Sequence, residues 1–157
     1  WTALEAGLAP VVVVVGAETE RVRAAVADLP VLVVENPNWE DGQSTSVRAG
    51  LAAVRANAEA AMFLLTDTPF VTADVVSTVA AEYRHTLTPI VAPRAGGRWA
   101  NPVLFDRVAF PDLMSLHGDV GGRALFARYR VASFECDESI LMDVDTQEDL
   151  NRLRRVK

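Results

Sequence analysis

Short apolar runs alternate along this chain with segments whose apolar residues recur at helical spacing. "PVVVVVG" (Pro10 to Gly16), "VLVV" (Val31 to Val34) and "MFLLT" (Met62 to Thr66) are uniformly apolar. That is the pattern of strands covered on both faces. Between the first two, "AETERVRAAVADLP" sets Val22, Ala25, Val26 and Leu29 on one helical face and ends at Pro30. "STSVRAGLAAVRANAEA" does the same with Val47, Leu51 and Val54, and "TADVVSTVAAEYRHT" predicts a third helix with Thr72 as its N-cap. Beyond it come strands at "PIVAP" and "PVLF", a short helix at "GGRALFARY", strands near "VASFE" and "ILMDV", and a closing helix "TQEDLNRLRRV". Trp1 to Gly7 reads as the tail of an amphipathic helix. Strand and helix alternating through short connections predict an α/β fold: three layers, a mostly parallel sheet with helices on both faces, in one domain over residues 1–157.

Composition narrows the function without choosing it. The net charge of −6 disfavours nucleic acid and anionic membrane as partners. No apolar run approaches a membrane span, and "WTALEAGLAP" lacks the basic start of a signal peptide. The single cysteine, Cys136, fits a reducing, cytoplasmic setting. Structural zinc is excluded by one cysteine and two scattered histidines. A serine hydrolase, a P-loop enzyme and a dinucleotide-binding domain are disfavoured, because "GxSxG", "GxxxxGK[ST]" and "GxGxxG" are all missing.

Ligands of open α/β sheets sit outside the carboxyl ends of the strands, so polar residues there carry most weight. "LLTDTPFV" ends an apolar strand on Thr66 and Asp67, followed by Thr68, which is placed to orient the carboxylate, and Pro69. A solvated turn and a metal ligand both account for Asp67. "NPNWEDGQSTSVRAG" passes Gly42 and enters a helix through Ser44, Thr45 and Ser46, with Arg48 one turn in. Three hydroxyls at a free helix N-terminus exceed what capping needs and suit a nucleobase edge or an anion. "GGRWANPVLF" offers Gly97, Arg98, Asn101 and Pro102, with Trp99 either a lid or a surface aromatic. "LHGDVGGRALF" sets Gly118 and Asp119 before Arg123, as an anion-binding turn or a tight structural one; His117 has no evident partner. "LMDVDTQEDL" brings Asp143 to a strand end, with Asp145 or Thr146 capping the closing helix.

Taken in order, "NPNWEDGQSTSVRAGL", "LLTDTPFVT", "APRAGGRWANPVLF", "LHGDVGGRALF" and "MDVDTQEDL" resemble the cytidylyltransferases and guanylyltransferases that act on the molybdenum cofactor, the cytidylyltransferase branch most of all. The resemblance spans nearly the whole chain after Val11. It implies a nucleotide-diphospho-sugar transferase (Rossmann-like) fold. It also implies Mg2+-dependent transfer of a nucleoside monophosphate from a nucleoside triphosphate, CTP favoured, to a phosphorylated pterin-type acceptor, with release of pyrophosphate and possible delivery to a molybdoenzyme or its chaperone. Carried over residue by residue, Asp67 is the catalytic metal ligand, with Asp143 and Asp145 as the closing acidic motif. Gly42, Ser44, Thr45, Ser46, Arg48 and Thr66 fall on the nucleotide side with Asp67. Gly97, Arg98, Asn101, Pro102, Gly118, Asp119 and Arg123 fall on the acceptor side. Ala100 stands where relatives usually have glycine, which narrows that loop's backbone freedom.

Family members open with a strand and a glycine-rich "LAAGxSxRxG" loop with a lysine, which cradle the triphosphate; neither occurs in these residues. A polypeptide truly lacking that segment is expected to be inactive, and one that carries it outside this sequence is expected to be an enzyme. The alternatives are a transferase with another phosphorylated acceptor and a non-catalytic module binding nucleotide or molybdenum cofactor.

Overall fold

The computed structural model describes residues 1–144, 146, 149 and 151. Most of the expected closing helix, and Asp145, lie outside the described residues. In chain order the elements are α1 (Thr2–Glu5), β1 (Val12–Val15), α2 (Thr19–Val26), β2 (Leu32–Glu35), α3 (Gln43–Val54), β3 (Ala60–Phe63) and α4 (Ala73–Thr86). They continue with β4 (Ile90–Val91), β5 (Arg94–Ala95), β6 (Arg98–Trp99), β7 (Val103–Asp106), α5 (Phe110–Met114) and β8 (Val131–Ala132). Short 3-10 turns occupy Trp39–Asp41, Arg107–Ala109, Gly122–Ala127 and Glu138–Leu141.

Alternation along the strands builds the three layers. In β7, Val103 and Phe105 enter a core with Leu51 of α3 and Phe110 and Leu113 of α5, while Leu104 enters a second core with Val79 and Tyr83 of α4. In β4, Ile90 belongs to the first core and Val91 to the second. Successive side chains of a strand point to opposite faces, so an all-apolar strand needs a helix on each side. Thr72 caps α4 as expected, its hydroxyl accepting from the Val75 N–H at 3.4 Å.

The α/β class is borne out, while the strand directions are mixed. β1 and β2 pair in parallel, and a second sheet runs in the order β3-β7-β4-β8. β7 is antiparallel to both β3 and β4, whereas β4 and β8 are parallel. The reason lies in the connection. Between β4 and β7 the chain has only the β5–β6 hairpin and no helix to carry a parallel crossover, so it returns antiparallel and inserts beside β3. Helix α3 lies across both sheets: a Cβ on Gly50 would stand 2.9 Å from Val14 of β1, and Val47, Leu51 and Val54 pack into the core that Phe63 of β3 joins.

One expected element differs. "ILMDV" is not a strand: Asp137 accepts from the Ser139 N–H and winds Glu138–Leu141 into a 3-10 turn. "GGRALFARY" does form the expected short helix, of the 3-10 type, over Gly122–Ala127. At the far end, Thr146 and Asp149 exchange backbone and side-chain hydrogen bonds at 3.0 and 3.2 Å, the reciprocal pattern of a capping box, which makes Thr146 the cap.

Tyr83 joins the helical layer to the sheet by donating to Asp106 at 2.5 Å. Burial, then the bond to Asp106 and its charge, push the Tyr83 phenol up to about 12. A native pKa raised above 10 favours the protonated, folded form. This contribution is therefore whole below pH 10 and is lost as pH climbs from 10 to 12. Tyr83→Phe is expected to cost about 1 kcal/mol, or about 3 °C in Tm, at pH 8. Thermal melts check it: the gap between variant and wild type should narrow at pH 11, and a constant gap would count against the linkage.

Candidate active site

The turn after β3 brings Asp67 to the carboxyl edge of the sheet. Its backbone carbonyl accepts the Val144 N–H at 2.8 Å, which seats the segment carrying Asp143 beside it. The two carboxylates the sequence singled out thus meet, although Asp143 arrives from a 3-10 turn and not from a strand end. They line a cleft of about 150 Å³ together with Arg98, Asn101, Arg123 and the buried Ala100. Oδ1 of Asp67 is buried and has no hydrogen-bond partner among the described residues. Thr68 does not orient it as expected, because the Thr68 hydroxyl donates instead to the Leu65 carbonyl at 3.1 Å.

Two guanidiniums, Arg98 and Arg123, line the same cleft. Burial lowers the Arg123 pKa from its ordinary value; Asp143 acts in the opposite sense, and the neighbouring charge of Arg98 lowers it further. Two cations that feel each other across a cleft, with no salt bridge or side-chain hydrogen bond to the described residues, leave donors for an incoming anion. Arg98 sits on a braced support. Gly96 and Gly97 turn the β5–β6 hairpin at φ +54° and +75°, conformations that favour glycine. Arg94 donates to the Gly97 carbonyl at 2.6 Å and lies 4.9 Å from the Trp99 ring, which packs edge-on against Phe126. Trp99 is therefore a half-buried brace rather than a surface aromatic, and Arg94 holds the hairpin.

A second cluster forms where α3 begins. The expected free helix N-terminus is not free. Asp119 accepts from the Gln43 N–H at 3.3 Å, the Ser44 N–H donates to the Gly118 carbonyl at 3.3 Å, and the Thr45 N–H donates to Gly42 at 3.1 Å. An N-terminus already facing a carboxylate has little to offer an anion. Gly118 and Asp119 accordingly pack against the start of α3 in a structural turn. Ser44 is fully buried, and its Oγ has no partner among the described residues. Thr66, Arg48, Pro102 and Gly97 do not line the cleft; Gly97 sits at the hairpin tip, and Pro102 is buried behind Asn101. Asp145 lies outside the described residues, and His117 is exposed and apart from the cleft.

The residue that sequence reasoning passed over is Asn36. Only 3% exposed, it donates through Nδ2 to Thr45 at 2.8 Å and Ser46 at 3.0 Å, while its Oδ1 accepts the Asn38 N–H at 3.1 Å. In "ENPN" it looks like one turn former among several. Only its place directly after β2 marked it as a residue on the ligand edge.

The domain has the nucleotide-diphospho-sugar transferase fold. Residues 2–133 match the family model of the MobA-like NTP transferase domain, and the chain belongs to that family, a branch of the nucleotidyltransferases. A curated relative is the nicotine blue oxidoreductase of Paenarthrobacter nicotinovorans, 30% identical over 162 residues covering 97% of this chain and 78% of that protein. Among solved structures, Rv0371c of Mycobacterium tuberculosis in complex with manganese is 29% identical with a TM-score of 0.80, covering 99% of this chain and 83% of that one. Molybdopterin-guanine dinucleotide biosynthesis protein A of Archaeoglobus fulgidus shares the fold at 14% identity, with a TM-score of 0.66 over 92% of this chain and 77% of that one. No helix among the described residues is long and apolar enough to cross a membrane.

Proposed function

We propose that the protein transfers a nucleoside monophosphate, CMP in the first instance, from its triphosphate to a phosphorylated pterin-type acceptor such as molybdopterin, releasing pyrophosphate. The observation that carries this reading is the cleft that Asp67 and Asp143 line together with Arg98 and Arg123. The choice of CTP and of a pterin rests on the resemblance to the cytidylyltransferase branch.

The donor set fits a hard divalent cation. Two carboxylates, one with a buried oxygen lacking any partner, are what such an ion uses alongside substrate phosphates. The manganese bound by the mycobacterial neighbour supports a divalent ion here, with magnesium the expected one. Asp67 and Asp143 would hold it, with Asp145 a further candidate. When bound, the ion neutralises charge on the triphosphate oxygens. The protein's own residues supply the positioning. Arg98 and Arg123 hold the acceptor phosphate, and Asn101 orients it. The braced hairpin holds Arg98, and the Asp67–Val144 contact holds the acidic segment, at the same cleft. An oxygen of the acceptor phosphate attacks the α-phosphorus in line as the bond to pyrophosphate breaks, a reaction that depends mainly on alignment and charge stabilisation.

Arg123→Met is expected to raise the acceptor KM between tenfold and a hundredfold, the worth of one charge-assisted hydrogen bond, while the KM for nucleotide stays near wild type. Steady-state kinetics with each substrate varied in turn checks the split. A second reading follows from the nicotine blue relative: oxidation or reduction of an aromatic heterocycle at the same cleft. Mass spectrometry after incubation with molybdopterin, a reduced pyridine nucleotide and CTP, GTP or ATP separates the two. The transferase adds one nucleoside monophosphate to the acceptor. An acceptor left unmodified, together with consumption of a reduced pyridine nucleotide, favours the redox reading.

A further inference from the structure

Asn36 sets the direction of two hydroxyl hydrogens. The Asn38 N–H can only donate, so the amide oxygen of Asn36 must face it and the Nδ2 hydrogens must point to Thr45 and Ser46. Both hydroxyl oxygens therefore accept from Asn36. Thr45 passes its own hydrogen to the Gly42 carbonyl at 2.8 Å and is satisfied inside the protein. Ser46, half-buried, has no acceptor for its hydrogen among the described residues. Asn36 is itself tied to β1, its N–H donating to the Val15 carbonyl at 2.7 Å, so the arrangement is anchored in the sheet.

We infer that Asn36 is a positioning residue for the nucleotide, because it makes the Ser46 hydroxyl a donor reserved for an acceptor oxygen or nitrogen of the bound nucleoside triphosphate. The inference rests on the nucleotidyltransferase reading of this protein. Its chemical content is a polarity: the ligand atom at Ser46 carries a lone pair and no hydrogen. Asn36→Asp retains the shape and still accepts from Asn38, yet it has no hydrogens to give. The Ser46 hydrogen then turns toward the new carboxylate and is lost to the ligand.

Calorimetric titration of the encoded protein with CTP and with GTP, each with magnesium, tests this. Ser46→Ala should raise the Kd about tenfold, the loss expected for one hydrogen bond left unmade. Asn36→Asp should raise it by a similar factor, and adding Ser46→Ala to Asn36→Asp should raise it no further, since both remove the same contact. An Asn36 that merely stabilised the loop would lower Tm and give losses that multiply with that of Ser46→Ala, which would overturn the inference. Ser46→Ala touches a half-buried position and folds even where Asn36→Asp does not; unchanged binding in that variant alone also overturns it. A wild-type protein that binds neither nucleotide would sink the transferase reading itself. Wild-type binding with an unaffected Ser46→Ala would sink only this one.

Discussion

Asp67→Asn is expected to lower kcat/KM for pyrophosphate release by roughly a thousandfold while leaving Tm within about 2 °C of wild type. The size follows from charge. Oδ1 of Asp67 is buried without a partner among the described residues, so the fold they form gains nothing from it that an amide would forfeit. What the amide lacks is the negative charge that holds a divalent ion against the triphosphate, and such an ion supplies several kcal/mol of stabilisation to the transferring phosphate. Excess metal should recover little of the loss. Asp143→Asn should lose less, because Asp143 is exposed and Asp67 remains. Equal activity in wild type and Asp67→Asn would remove this carboxylate from the chemistry.

Gly42→Ala is expected to destabilise the protein by about 3 kcal/mol, roughly 9 °C in Tm. Two costs combine. Gly42 sits at φ +103°, where a side chain is strained, and its Cβ would lie 2.5 Å from the carbonyl carbon of Gly118 and 2.6 Å from the Asp119 nitrogen. The clash would push the 118–119 turn off the start of α3 and unseat the Asp119 cap with it. Gly97→Ala provides the control. It also has positive φ, +75°, but meets nothing within 4 Å, so about 1 kcal/mol is expected there. Thermal melts of the two variants separate strain alone from strain plus collision. Similar losses would show that the contact between the two loops is loose.

The fold was legible where local patterning and tertiary packing agree. The apolar β7 and β4 and the periodic α3 and α4 each show their buried faces in sequence, because burial on two sides of a strand and one side of a helix leaves distinct periods. The antiparallel insertion of β7 was not legible, since strand direction depends on whether a connection contains a helix, and "APRAGGRWAN" reads as a loop either way. "ILMDV" misled for a related reason: an apolar run of strand length was taken over by the Asp137 cap, a local hydrogen bond competing with the ladder.

At the site, the sequence singled out Asp67 and Asp143, which the structure brings into one cleft, because both follow apolar segments that end at the sheet edge. It also named Arg98 and Arg123, but it set Gly118 and Asp119 beside them. The structure turns those two toward the start of α3, 76 residues apart in the Gln43–Asp119 contact, and they do not line the cleft. Asn36 escaped notice because a buried asparagine with three hydrogen bonds is spelled like any turn asparagine.

The most direct measurement is pyrophosphate release by the encoded protein, with molybdopterin and each of CTP, GTP and ATP, in the presence and absence of magnesium or manganese. The account predicts release with one nucleotide well above the others, CTP first, and none without a divalent ion. No release with any nucleotide, though nucleotide and metal both bind, would contradict molybdopterin as the acceptor, and release indifferent to the metal would contradict the role given to Asp67 and Asp143.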